Sequence, residues 1–136
     1  MVDWKTVIIG FILAVVLSKI LGIAGLVFGA AAGLLGSFIG QVIAYVLVTA
    51  YVGYMVGENY KNGSVHGALV GVIGGIVGGI ISILVAGAIF GTFEVTISVI
   101  IGIVMGTIFY GIIGAIGGAL GAIMKYKNLK EEQPVD

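Results

Sequence analysis

Two long stretches of this chain are almost free of charged side chains. Between Ile20 and Gly57 there is no Asp, Glu, Lys or Arg, and between Asn62 and Met124 there is only Glu94. A soluble domain of 136 residues has too small a core to bury two apolar stretches of this length. A bilayer accommodates both, because one helical crossing needs about 20 mostly apolar residues. We therefore predict an integral membrane protein that lies almost entirely in the lipid bilayer, which is its first expected partner.

The composition supports this class and excludes several others. The chain is 60% hydrophobic and 9% charged, with a mean hydropathy of +1.29. Six Lys balance six acidic residues and Arg is absent, so we expect no nucleic-acid partner. The absence of Cys excludes disulfides, thiolate metal sites and cysteine catalysis. No phosphate-binding loop, nucleophile motif or metal-ligand spacing occurs, so we predict no enzyme activity, catalytic residue, cofactor or metal.

The first apolar stretch is long enough for two membrane crossings. As one helix, residues 4–57 would be about 80 Å long, so the chain must turn within them. A turn between Ala24 and Gly36 gives two spans of comparable length, and we therefore place it there. A cleaved signal peptide is the alternative to the first helix. Its apolar core would be Val7–Leu17 and its cleavage site Ala30–Ala32, although the apolar character continues past that point.

Two polar breaks divide the rest of the chain. Residues 58–64 contain a turn-forming Asn-Gly pair, and residues 91–94 read Gly-Thr-Phe-Glu. Either Asn62 or Ser64 is suited to cap the helix after the first break. The fold class is therefore predicted to be all-α, a four-transmembrane-helix bundle in a single domain covering residues 1–124. The predicted spans are approximately 4–27, 34–57, 65–90 and 95–124, followed by a charged, disordered cytoplasmic tail at 125–136.

Lysine placement predicts how the bundle is oriented. With four spans, both termini and the loop at residues 58–64 lie on one side of the membrane. That side then carries five of the six lysines: Lys5, Lys61, Lys125, Lys127 and Lys130. The positive-inside rule places this side in the cytoplasm. We thus expect a multi-pass protein of the cell membrane with both termini cytoplasmic.

Glycine spacing predicts how the helices pack. In lipid, small residues let helix backbones approach closely, which is the basis of glycine-zipper (small-xxx-small) packing. The predicted packing positions are Gly63, Gly67, Gly71, Gly75 and Gly79 in the third helix, Gly25, Gly29 and Gly33 near the first turn, and Gly114 and Gly118 in the fourth helix. The third helix has a second track at Gly74 and Gly78. Two interpretations stay open: packing within one bundle, or outward faces that form a homo-oligomer.

Four polar residues are candidates for a site within this apolar chain. Lys19 either snorkels to the headgroups or faces a polar cavity, where it could pair with Glu94. His66 is either an interfacial histidine at the start of a helix or a proton or ligand site, and Gln41 is suited to a hydrogen bond between helices. Glu94 is either a solvated loop carboxylate or a proton-carrying group inside the membrane.

Two segments resemble a known group of proteins. They are Asp3–Phe11, which reads DWKTVIIGF, and Tyr60–Gly71, which reads YKNGSVHGALVG. Both are similar to segments of an archaeal family of small, glycine-rich, multi-pass membrane proteins of unknown function. The resemblance implies multi-pass topology and an archaeal cell membrane, and it supplies no activity or catalytic residue. Members of that family often carry Pro between the first two helices, and this chain has none there.

Two function classes follow from these features. The first is a structural or accessory helical bundle that packs or oligomerises through its glycines, alone or with another membrane protein. The alternative is a small channel or transporter, or a subunit of one, with a polar path involving Lys19. These classes differ in whether Lys19 and Gln41 line a continuous polar path.

Overall fold

The computed structural model describes residues 2–28, 33–57, 59–91 and 96–131. These residues form four helices: α1 (Trp4–Phe28), α2 (Gly33–Val56), α3 (Tyr60–Phe90) and α4 (Ile97–Glu131). Each is long and apolar enough to cross a membrane. The prediction of an all-helical fold with four membrane-spanning helices is thereby confirmed at the level of length and composition.

The first two helices lie within one residue of the predicted bounds, whereas α4 is longer than expected. It continues through Glu131 instead of ending at Met124, so the residues predicted as the start of a disordered tail are helical up to Glu131. Two contacts support this extension. The Lys125 ammonium donates to the Met55 carbonyl oxygen at the end of α2 (3.3 Å), and Lys130 lies over the Tyr126 ring. The remainder of the predicted tail, residues 132–136, lies outside the described residues.

The start of α3 also differs from the prediction. Asn59 has an extended backbone (φ −154°, ψ 162°), and its side chain accepts a hydrogen bond from the Asn62 N–H at 2.9 Å. This cap satisfies a donor of the first turn, so α3 begins at Tyr60 and neither Asn62 nor Ser64 is its N-cap. At the other end Gly91 adopts a left-handed conformation (φ 68°) that ends the helix, as expected of a glycine C-cap.

The central helices of the bundle are α2 and α3. Each of them contacts all three other helices, whereas α1 and α4 make no contact with each other among the described residues. The buried core comprises Val7, Ala14, Tyr45, Val48, Val52 and Val70. Large apolar side chains cover the outer surface of all four helices, including Ile12, Ile43, Leu84 and Ile108. So much exposed apolar surface is typical of a protein surrounded by lipid.

Candidate functional site

The helices α3 and α4 approach each other along the glycines spaced by four, here called the α3 stripe (Gly63, Gly67, Gly71, Gly75 and Gly79). A Cβ atom added to any glycine of the stripe would lie within 2.6 Å of an α4 atom. The nearest α4 residues, in the same order, are Gly118, Gly114, Tyr110, Thr107 and Ile103. For the first three glycines the obstructing atom is a backbone carbonyl oxygen, which cannot move aside as a side chain can. The α3 stripe is therefore a face of backbone-to-backbone contact.

The other glycines predicted to pack have varied surroundings. Gly114 and Gly118 oppose the α3 stripe from α4, and Gly25 of α1 faces Gly36 of α2. Gly33 is the first residue of α2, and Gly29 lies outside the described residues.

The second glycine track of α3, Gly74 and Gly78, does not pack against the backbone of another helix. A Cβ at Gly74 would meet the Tyr45 ring and hydroxyl, whereas a Cβ at Gly78 would have no atom within 4 Å. The first position is thus filled by an α2 side chain and the second faces open space, although their spacing is that of the α3 stripe.

The half of the bundle that holds the first residue of α1 and the last residue of α4 is here called the terminal half. In it, α2 and α4 also approach each other closely. A Cβ at Gly53 would collide with the Gly118 carbonyl oxygen, and one at Gly121 would collide with the Ala50 carbonyl oxygen. Three helices, α2, α3 and α4, therefore meet at backbone distance in this half.

His66 lies in this terminal half and is 1% exposed. Its Nε2 accepts a hydrogen bond from the Asp3 N–H (2.8 Å), and its Nδ1 donates to the Asn62 carbonyl oxygen (2.8 Å). These partners define the tautomer with the proton on Nδ1. The ring thus joins α3 to the start of α1, and both nitrogens are used within the protein.

Asp3 caps α1, which the sequence analysis missed. Its Oδ1 accepts from the backbone N–H groups of Lys5 (3.1 Å) and Thr6 (3.4 Å), and its Oδ2 accepts from the Thr6 hydroxyl (2.6 Å). The bond from the Thr6 hydroxyl, assisted by the two N–H groups, lowers the pKa of Asp3 against an opposing effect of burial. The signal was an Asp directly before the first apolar residues, which is a common N-cap pattern.

The opposite half of the bundle contains a cavity of about 420 Å³, here called the Lys19 cavity. All four helices line it, and it is partly open to its surroundings. Three of its lining glycines face open space, since an added Cβ would meet no atom within 4 Å: Gly78, Gly102 and Gly106. Its polar lining residues are Ser18, Lys19, Gln41, Tyr45, Ser82 and Tyr110.

These polar groups differ in how far they are already paired. The hydroxyls of Ser18 and Ser82 donate to backbone carbonyl oxygens of their own helices, at 3.0 and 2.8 Å. The Gln41 amide makes only long contacts of 3.5 Å with Ser37. Tyr45 is 5% exposed, and its hydroxyl beside Gly74 makes no hydrogen bond with a described residue. Among the described residues, the fully buried hydroxyl without a partner is that of Thr107.

The structure therefore brings two of the predicted site residues together and separates a third from them. Lys19 and Gln41 line the same cavity, and Lys19 is exposed and forms no ion pair with a described residue. His66 lies in the other half of the bundle, and Glu94 lies outside the described residues. No group of three or more His, Asp or Glu residues in the described ranges could hold a metal ion.

Two aromatic rings in tilted contact line the Lys19 cavity. The centroids of Tyr45 and Tyr110 are 4.4 Å apart, and both residues line the cavity. Beyond them lie Gly71, at the Tyr110 carbonyl oxygen, and the packed terminal half. In the conformation described, the polar lining of Lys19 and Gln41 does not continue through the bundle.

Comparison with known proteins assigns the chain to a family. Residues 4–124 match the family described as "Family of unknown function (DUF5518)". This match covers all four helices except the last residues of α4, so the chain belongs to that family. No curated protein and no solved structure matches the chain.

Proposed function

We propose that this DUF5518 protein is a multi-pass protein of the cell membrane with a structural or accessory role, and that it is not an enzyme. Its four-helix bundle is held together by glycine-zipper contacts, and both termini lie in the cytoplasm. The observation that carries the proposal is the α3 stripe, because five glycines spaced by four pack one face of α3 against α4 inside the bundle. A homo-oligomer or another membrane protein is the partner expected for such a bundle.

The geometry of the terminal half supports a structural role over transport. A transport path must cross the whole bundle, and close contacts of α2 with α4 and of α3 with α4 occupy the space it would need. Opening a path there would break several van der Waals contacts between backbones at once, and such contacts drive helix association in lipid.

A small channel or transporter is the second candidate, and the Lys19 cavity favours it. A cavity containing a lysine, an amide and two tyrosines resembles one half of a pathway for polar solutes. Polar groups inside a membrane bundle commonly mark such pathways.

Liposome flux separates the two candidates. Purified full-length protein is reconstituted, and the passage of ions and small neutral solutes is compared with protein-free liposomes. We expect no flux above the protein-free level for the wild type, Lys19→Leu or the control Lys61→Leu. A robust wild-type flux that Lys19→Leu abolishes and Lys61→Leu preserves would replace the structural proposal with the transport one.

The orientation is tested by single cysteines, because the native chain has none. Lys5→Cys, Ser64→Cys, Glu94→Cys and Lys127→Cys are each exposed to a membrane-impermeant thiol reagent on intact cells. We expect labelling of Glu94→Cys only, with the other three labelled after lysis. Labelling of Ser64→Cys on intact cells without labelling of Glu94→Cys would reverse the proposed topology.

A further inference from the structure

We propose that the Lys19 cavity binds an amphipathic anion, with its negatively charged headgroup at Lys19 and its apolar chain against the apolar lining of the cavity. This binding site goes beyond the proposed structural role, which requires no ligand. The cavity volume of about 420 Å³ lies within the range of small-molecule sites.

The charge of the headgroup follows from Lys19. It is the only charged residue between Lys5 and Glu58 in the sequence, and no described residue pairs with it. A cation in an apolar bundle is costly unless an anion or water compensates it, and the described lining of the cavity contains no carboxylate. The chemistry of the cavity thus favours a ligand with a negative charge.

A second observation indicates that the headgroup also accepts hydrogen bonds. Tyr45 lines the cavity, and its hydroxyl makes no hydrogen bond with a described residue. This hydroxyl is therefore available to donate to a ligand in the cavity. The Gln41 amide, held only by contacts of 3.5 Å, is a second available donor. A phosphate or carboxylate would accept from Lys19, Tyr45 and Gln41 together.

The apolar chain follows from the shape and the walls of the cavity. The cavity is partly open to its surroundings. Val15 of α1 and Val99 and Ile103 of α4 form apolar walls in it. Gly102 and Gly106 leave open space beside those walls. A hydrocarbon chain can therefore extend from the headgroup towards the surrounding bilayer.

Native mass spectrometry of the full-length protein tests this proposal. The protein is released from nanodiscs of equal parts phosphatidylglycerol and phosphatidylcholine, with and without excess dodecyl phosphate as a soluble amphipathic anion. We expect one retained anionic molecule per protein and little retained phosphatidylcholine. Retention of phosphatidylglycerol despite dodecyl phosphate would identify a membrane lipid as the ligand, whereas its displacement would identify a soluble amphiphile. Both results support the site, and equal retention of the two lipids would overturn it.

Three variants and one control connect the binding to the cavity. We expect Lys19→Gln to reduce retention at least about tenfold, and Tyr45→Phe to reduce it about two- to tenfold, as for one charged and one neutral hydrogen bond. Gly78→Leu keeps the lysine but fills open space in the cavity, so it should also reduce retention at least about tenfold. Lys61→Gln removes an exposed lysine elsewhere and should stay within about twofold.

The thermal unfolding of each variant in mild detergent checks that it is folded. Unchanged retention in folded Lys19→Gln or folded Gly78→Leu overturns the proposal. If Lys19→Gln does not fold, the Gly78→Leu and Tyr45→Phe results decide. Lipid retention tests the binding site, whereas liposome flux tests the structural role. Either proposal can therefore be refuted while the other holds.

Discussion

Two residues hold the beginning of α1 from different directions. Asp3 caps the first turn with its own carboxylate, while His66 accepts the Asp3 backbone N–H from α3. The cap could be found in the sequence, because an Asp one residue before a helix is a local pattern. The contribution of His66 could not, since it requires α1 and α3 to lie side by side although the partners are 63 positions apart in the sequence. The sequence also suggested an interfacial position for His66, because it placed the start of α3 at residue 65.

Replacing His66 with Ala should destabilise the bundle by about 2–4 kcal/mol. The change leaves a cavity at a 1% exposed position and removes the acceptor of the Asp3 N–H. Thermal unfolding in mild detergent measures the effect. Val65→Ala, at the neighbouring and half-exposed position of α3, is the control and should change stability by less than about 0.5 kcal/mol. If the two substitutions lowered stability equally, the hydrogen bond of His66 would not stabilise the packing of α1 against α3.

Replacing Thr6 with Val should raise the pKa of Asp3, because it removes the hydroxyl hydrogen bond that lowers it most. In the folded protein this pKa lies below its ordinary value. The ionised cap therefore stabilises α1 above the ordinary pKa, and the stabilisation is lost as the pH falls through the lowered pKa. In Thr6→Val the loss should begin at a higher pH. The carboxyl ¹³C shift of Asp3 reports its titration midpoint, with Ser64→Ala as a control that should not move it. A midpoint that is the same in wild type and Thr6→Val would contradict the assigned hydrogen bond.

At the scale of elements, the spacing of glycines shows which residues share a face but not what that face meets. Gly71 and Gly75, spaced by four, lie against α4, and this arrangement was predictable as a small-residue face. Gly74 and Gly78 have the same spacing, yet one lies against a Tyr45 side chain and the other faces open space. The difference arises from the separation of the neighbouring helices, which depends on side chains distant in sequence. The shape of the Lys19 cavity could not be predicted for the same reason, although the sequence identified Lys19 and Gln41 as candidate site residues.

Placing Ile at Gly71 should destabilise the bundle by about 3 kcal/mol or more. Its Cβ would collide with the Tyr110 carbonyl oxygen, so α3 and α4 would have to separate and lose the contacts along the stripe. Insertion into the membrane should be unaffected, because Ile adds apolar surface. Oligomer size and thermal stability in mild detergent measure the outcome.

The matched control is Gly102→Ile in α4. A Cβ there meets no atom within 4 Å, so the same chemical change should alter stability by less than about 0.5 kcal/mol. Ile at the exposed Leu84 position of α3 provides a second control. If Gly71→Ile behaved as these controls do, the α3 stripe would not be a packing face.

At the scale of the whole molecule, the bundle is asymmetric along its axis. In the terminal half, α2, α3 and α4 pack at backbone distance, whereas the other half contains the Lys19 cavity beside the close contact of α1 with α2. Single cysteines should report this difference through their reaction with N-ethylmaleimide in mild detergent. We expect Gly106→Cys, in open space at the cavity, to react at least about tenfold faster than Ile113→Cys, which packs against the buried core. Comparable reaction rates would show that the cavity is closed or that the core is open.

The position of α4 also determines when this protein can finish folding during its synthesis. The α3 stripe and the close contacts of Gly53 all have their partners on α4, which leaves the ribosome after the other three helices. Until then, α3 presents a groove of bare backbone to the acyl chains, which fill it less well than a helix does. The packing of the first three helices is therefore incomplete until α4 has entered the membrane, and a chain that stops before α4 leaves the α3 stripe without a partner.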